Sequence, residues 1–230
     1  MKSQKITYKA EPARRSYEDA CGAAHALDLV GERWALLVMR ELLLGPKRFS
    51  DLRTDLPGIS ANVLTQRLEG LEAAGIVVRR KLPPPASVQV YELTPWGYES
   101  EPIFQALGRW AARSPTHDPS LPLSAVSLLI SFRTMFDPAR AKGFRTKVGL
   151  RIGEESFMVD VNGTGVAVAR GEPKDAAVVF TGAAPVIAAA VYGGMPLDQL
   201  VVDGALTIEG NKAVAERFVT LFPLPSKVEP

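Results

Sequence analysis

One short stretch constrains this chain more than any other: ARSPTHDPSLPL, residues 112–123. It places three prolines among polar residues and has no apolar periodicity, which is the composition of a linker. The patterns on its two sides differ in kind. Before it, apolar residues recur at helical spacing; after it, short strand-like runs separated by turn residues dominate. A chain of 230 residues is long enough for two small domains. The break therefore divides it into residues 1–113, a linker at 114–122, and residues 123–230. With 47% hydrophobic and 23% charged residues, the composition is that of a folded protein and not of a disordered one.

In the first part, GAAHALDLVGERWALLVMRELLLG predicts two helices or one bent one, stopped by Gly45-Pro46. Ser50 is placed to cap a short helix that ends at Pro57-Gly58, and Ser60 to cap a longer one after it. GIVVRRKLPPPASVQVYELT holds two β-branched runs around a proline-rich tip, the pattern of a hairpin. Thr94 and Pro95 then open a last helix running through Trp110, with Thr as cap and Pro in the first helical position. Helix, helix, short helix, turn, helix, hairpin, helix is the order of a winged helix-turn-helix. The LPGIS turn has the length and the glycine that this motif requires.

The helix after that turn has two distinct faces. At about 3.6 residues per turn, Leu64, Leu68, Leu71 and Gly75 align as a core stripe. Asn62, Gln66, Glu69 and Ala73 point the other way, with Thr65 beside them. The first turns thus offer Ser60, Asn62, Thr65 and Gln66, all uncharged hydrogen-bonding groups. In a helix-turn-helix these N-terminal positions enter the major groove, where Asn and Gln suit adenine and Ser and Thr serve any base. Arg67 falls near the edge of the core stripe, so a phosphate contact or an internal pair suits it better than base reading. Arg79, Arg80 and Lys81 begin the hairpin and would lie on the flanking phosphate backbone. Lys47, Arg48 and Ser50 form a second expected phosphate-contact group. A polar helix face and an RRK run are ordinary surface when taken singly; the element order is what joins them into a DNA-binding reading. Net charge is only +2, so any grip on nucleic acid has to come from such local clustering.

In the second part, LSAVSLLISFRTMFDPARA reads as a helix capped by Ser124. FRTKVGLRI, ESFMVDV, GVAVAR and AAVVFTG read as short strands, with Asn162-Gly163 and GEPKD as turns. APVIAAAVYGG and PLDQLV are helical, GALTIEG is a fifth strand, and NKAVAERFVTLF is a closing helix capped by Asn211. This is an α+β unit with an antiparallel-type sheet covered by helices. Its bulky apolar residues are Phe132, Met135, Phe136, Phe144, Phe157, Phe180, Val191, Tyr192, Leu200, Phe218 and Phe222. Most are needed as core, and any excess would line an apolar ligand cavity.

Catalytic patterns are missing from the sequence. It has two histidines, no GxSxG or HExxH, and no complete phosphate-binding glycine loop. An enzyme is therefore not expected. The single cysteine, Cys21, excludes a disulfide framework and a Cys-rich zinc site and fits a reducing cytoplasm. The N-terminal stretch lacks the apolar core of a signal peptide. No apolar run reaches the ~18 residues of a membrane span, so neither a membrane partner nor a cofactor is expected.

Two resemblances add to this reading. Over residues 17–112 the blocks LDLVGERW, LLLGPKRFSDL, PGIS, VLTQRLEGLEAAGIV and YELTPWG closely resemble the HxlR group of bacterial winged-helix regulators, relatives of MarR-type repressors. That resemblance implies a homodimer built from the first and last helices of this domain, on a roughly two-fold operator in double-stranded DNA. Cys21 matches a cysteine that some members use as a redox or electrophile sensor. Arg33 stands where lysine is usual, and Pro83, Pro84 and Pro85 stiffen the wing. Residues 143–223 resemble the sterol carrier protein family in VDVNGTGVAVARGEPKDAAVVFTG and VYGGMPLDQLVVDGALTIEGNKAVAERFVTLF. This implies a tunnel for a fatty-acyl, sterol-like or other apolar ligand. The combined expectation is a dimeric DNA-binding transcriptional regulator controlled by an apolar molecule in its C-terminal domain, with coupling through the linker and the dimer helices. The alternative is a lipid-binding carrier whose first half serves mainly to dimerise.

Overall fold

The computed structural model describes residues 16–229. The first helical stretch is two helices, α1 (Gly22–Val30) and α2 (Ala35–Leu42), separated at Trp34, whose φ of 80° is left-handed. Next come α3 (Phe49–Asp55) and α4 (Ala61–Ala73). The cap of α3 is Arg48; Ser50 lies inside its first turn, one correction to the sequence reading. The box closes because the Asp51 carboxylate accepts from the Arg48 amide at 3.2 Å. Ser60 does cap α4, accepting from the Val63 amide at 3.3 Å. The helix ends in a Schellman motif: the Ile76 amide donates to the Leu71 carbonyl and the Gly75 amide to Glu72, with Gly75 at φ 72°.

That stop aims the chain directly into the wing. β1 (Val77–Lys81) and β2 (Gln89–Leu93) pair antiparallel. Lys47 adds a short third strand, exchanging two backbone hydrogen bonds with Tyr91 at 2.8 and 3.0 Å. The last helix of this half is broken in two, α5 (Pro95–Tyr98) and α6 (Glu101–Ala112). Thr94 caps α5 as expected, accepting from the Gly97 amide at 3.1 Å. The break follows from Pro102, which has no N–H to give the preceding turn and instead sits in the first turn of a new helix.

The second half begins with α7 (Ala125–Met135), capped by Ser124 and ended ahead of Asp137-Pro138. Five strands follow, β3 (Thr146–Ile152), β4 (Glu155–Val161), β5 (Val166–Arg170), β6 (Val178–Gly182) and β7 (Leu206–Gly210). Helices α8 (Ala184–Tyr192) and α9 (Leu197–Val202) link β6 to β7, and α10 (Lys212–Phe218) closes the unit. The sheet order is β5-β4-β3-β6-β7. Three of its pairings are antiparallel, as expected, but β3 and β6 run parallel, so the sheet is mixed. Two antiparallel units, β3-β4-β5 and β6-β7, are joined side by side at that pair.

The two halves share one continuous buried core. Glu41 of α2, with no exposed surface, accepts from Ser124 Oγ at 2.7 Å while that hydroxyl caps α7. Arg133 of α7 donates to both Glu101 carboxylate oxygens at 2.8 Å and to the Val168 carbonyl at 2.9 Å. Arg170 of β5 donates to the Leu44 carbonyl at 2.9 Å, pairs with Glu155 and lies over the Phe157 ring. Even the expected hinge is held: the Val228 amide donates to the Arg113 carbonyl, and Lys227 Nζ to the carbonyls of Ser114 and His117, each at 2.8 Å. The halves therefore meet through α2, α6, α7 and β5, and not through the linker alone.

Candidate nucleic-acid interface

The polar face of α4 is built from the inside outward. Leu64, Leu68 and Leu71 are fully buried and fix the rotation of the helix. Asn62, Thr65, Gln66 and Glu69 are consequently exposed, as is Ser60 at the cap. Each of the first-turn side chains offers a donor and an acceptor to whatever approaches. Arg67 turns inward: its Nη2 pairs with Glu32 at 3.2 Å and its Nε is buried. This pair within the chain is one of the two roles expected for it, with Glu32 itself 69% exposed.

On β1 the side chains of Arg79, Arg80 and Lys81 are all exposed. Arg79 Nε lies 3.7 Å from Glu72, and Arg80 pairs with Glu92 across the hairpin. Both guanidinium groups stay about half exposed, so these are surface pairs that solvent screens and a phosphate can replace. Arg48 and Ser50 are exposed at the start of α3, with the Ser50 hydroxyl donating to Asp51 at 3.0 Å.

Lys47 is a correction. It is 3% exposed, and its ammonium pairs with Glu41 at 3.2 Å and with Asp55. The backbone bridge to Tyr91 pulls this residue into the wing sheet and carries its side chain under α3. Its charge neutralises the buried Glu41 and does not face the surface. A carboxylate at position 41 inside the run ALLVMRELLLG was the available signal, because a buried charge requires a partner.

Cys21 is exposed at the start of α1. The backbone amides of Ala24 and Ala23 at the helix start favour the thiolate and hold the thiol below its ordinary pKa. In the second half, most of the aromatic residues expected to line a pocket pack on one another. Phe132 stacks on Phe222 with centroids 4.5 Å apart, and Phe218 meets Phe132, Phe180 and Phe222 at 5.1–5.9 Å. Phe136 touches Phe222, and Phe157, Met135, Phe144 and Leu200 are buried core. The Tyr192 hydroxyl is satisfied by Ser131 at 2.6 Å, and burial holds its pKa well above the usual range. Val191 borders a surface groove beside Met195 and Leu197. A groove of about 840 Å³ lies elsewhere, between the two halves.

Residues 29–118 match the family described as HxlR-like helix-turn-helix. The HTH-type transcriptional regulator YvaP of Bacillus subtilis is 37% identical over 86 residues, which are 37% of this chain and 80% of that protein. The chain belongs to the HxlR family. A second relative from this family of regulators, YodB of the same organism, is 38% identical across 37% of this chain and 77% of its own length. The solved reduced form of YodB aligns with 43% of this chain and 98% of that one at 35% identity, with a TM-score of 0.39. Residues 136–223 match the SCP-2 sterol transfer family. The molecule is thus an HxlR-type transcriptional regulator with a DNA-binding winged helix and an SCP-2-type domain after it. Among the described residues no helix is long and apolar enough to cross a membrane.

Proposed function

We propose that this HxlR-type regulator works as a homodimer whose two α4 helices read a two-fold operator and whose SCP-2-type half makes DNA binding responsive to an apolar small molecule. The observation that carries the DNA-reading part is the exposed, uncharged face at Ser60, Asn62, Thr65 and Gln66, flanked by Arg79, Arg80 and Lys81 on the wing and by Arg48 and Ser50 on α3. Uncharged donors and acceptors serve base edges while the cations neutralise phosphate.

Dimerisation is supported by two apolar surfaces left uncovered. Helix α1 has no fully buried residue: Leu29 and Val30 pack against the core, but Leu27 is 51% exposed, and a nine-residue helix depends on packing. On α6, Ile103, Leu107 and Trp110 recur on one face and are 53%, 41% and 75% exposed. A second copy joining at α1 and α6 covers both. Cys21 stands at the start of α1, so a thiolate reaction there would reach the dimer contact. We include sensing by Cys21 as part of the proposal, resting on its exposure and lowered pKa.

Control by a small molecule is supported by the SCP-2 match and by the direct packing of that domain on α2 and α6. A ligand acts on DNA binding only if it prefers one geometry of the dimer. Selection of bound fragments from a random double-stranded DNA library tests the reading. Enrichment of a two-fold symmetric site is the expected result. Failure to enrich any sequence, with lipid binding retained, would favour the alternative of a carrier whose first half serves to dimerise.

A further inference from the structure

The groove between the halves has one wall from α2, α3 and the turn before α4, and the other from the start of α7, the β3-β4 turn and the start of α8. Its volume of about 840 Å³ lies within the range of small-molecule sites. Trp34, Leu37 and Leu56 supply apolar surface on the DNA-binding side, and Leu123, Ile152 and Pro185 supply it on the SCP-2-type side.

The charges on these walls decide what kind of molecule fits. Arg40, Asp55 and Glu155 border the groove but are already paired, with Glu41, Lys47 and Arg170. Asp51 and Glu154 face it from opposite walls, and among the described residues neither has a salt-bridge partner. Two helix starts, those of α7 and α8, oppose this with roughly half a positive charge each at most. The α7 end is further satisfied by the Ser124 hydroxyl, and Pro185 removes one donor from the α8 end. The Asp51 carboxylate accepts from the Arg48 amide and the Ser50 hydroxyl but has no cationic side chain beside it, and Glu154 has no side-chain partner among the described residues, so the groove is apolar with a negative balance.

We propose that this groove is the effector site and that it takes an organic cation with an apolar body, held between the Asp51 and Glu154 carboxylates. The proposal rests on reading the chain as an effector-controlled regulator and places the effector against α3 and the turn leading into α4. A molecule seated there contacts both halves at once. It therefore favours one angle between them, and with it one position of the recognition helices in the dimer.

Tetraphenylphosphonium and tetraphenylborate, nearly equal in shape and opposite in charge, are the probes. Full-length protein is titrated with each by calorimetry, without DNA and at two salt concentrations. The expected result is saturable binding of the phosphonium, weakened by salt, and weaker binding of the borate. Glu154→Gln should weaken the phosphonium about fivefold, the fold-change of one exposed ion pair. Equal binding of the two probes, preference for the borate, or an affinity that Glu154→Gln leaves unchanged would overturn the site. Because Glu154 lies in an exposed turn and bonds no other side chain among the described residues, its replacement should leave the unfolding curve of the protein in place. A parallel titration of the protein onto its selected DNA separates the two readings. Phosphonium binding without DNA binding would sink the regulator reading and keep the site. DNA binding without a charge-selective site would do the reverse.

Discussion

Lys47 shows how one residue can have two plausible roles until its neighbours are placed. By sequence it belongs to an exposed Lys-Arg pair; in the fold its ammonium is buried between Glu41 and Asp55. Removing Lys47 leaves the buried Glu41 with Arg40 as its one cation and the part-buried Asp55 with none among the described residues. Lys47→Ala should therefore destabilise the protein by about 3 kcal/mol in urea unfolding. The same substitution should leave the salt dependence of DNA binding unchanged, whereas a phosphate contact would lower it. Cys21 yields a second test at this scale. The Ala24 and Ala23 amides favour its thiolate in the folded state only, so the thiolate becomes populated at lower pH in the native protein than in the unfolded chain. Alkylation rates measured across pH should show a lower midpoint for native protein than for protein in guanidinium; coincident midpoints would remove the activating role of the helix start.

At the scale of elements, the proposed interface divides the work between the wing and α4. Arg79→Ala with Arg80→Ala should weaken binding to all DNA sequences alike and lower the slope of log affinity against log salt by about 1–2. An unchanged slope would take the wing out of the interface. The elements themselves were largely legible in the sequence, because the signals that start and stop them are local. Ser60, Thr94, Ser124 and Asn211 all cap the helices expected of them. The misreadings are of two kinds. Arg48 displaced Ser50 as cap of α3, and Pro102 split the last helix of the first half; both are decided within one turn, by competition between neighbouring residues. The parallel pairing of β3 with β6 and the Lys47 bridge to Tyr91 join residues far apart in the chain, and no local pattern encodes them. The aromatic residues of the second half were legible as apolar, but which ring meets which was not, since packing of ring on ring is a property of three dimensions.

At the scale of the whole molecule, the proline-rich stretch 112–123 separates two patterns without separating two independent bodies. Buried Glu41 and the part-buried Arg133 and Arg170 tie the halves together, and the C-terminal strap at Lys227 holds the stretch itself. The proposed coupling between a ligand and DNA would run through the packing of α2, α6 and α7. In the proposed dimer, a second copy covers the exposed apolar residues of α1 and α6. Trp110→Asp should convert a dimer to a monomer in sedimentation velocity, with a corresponding loss of operator affinity; a dimer that persists would move the interface elsewhere. The central claim, that the uncharged face of α4 reads bases, is tested most directly by fluorescence anisotropy with Asn62→Ala and Gln66→Ala combined. Wild type and variant are titrated onto the selected operator and onto a scrambled duplex at one salt concentration. The account predicts that the variant binds the operator more weakly by about 2–6 kcal/mol, for two lost base contacts, and binds the scrambled duplex as wild type does. An operator preference that survives the double substitution would contradict it.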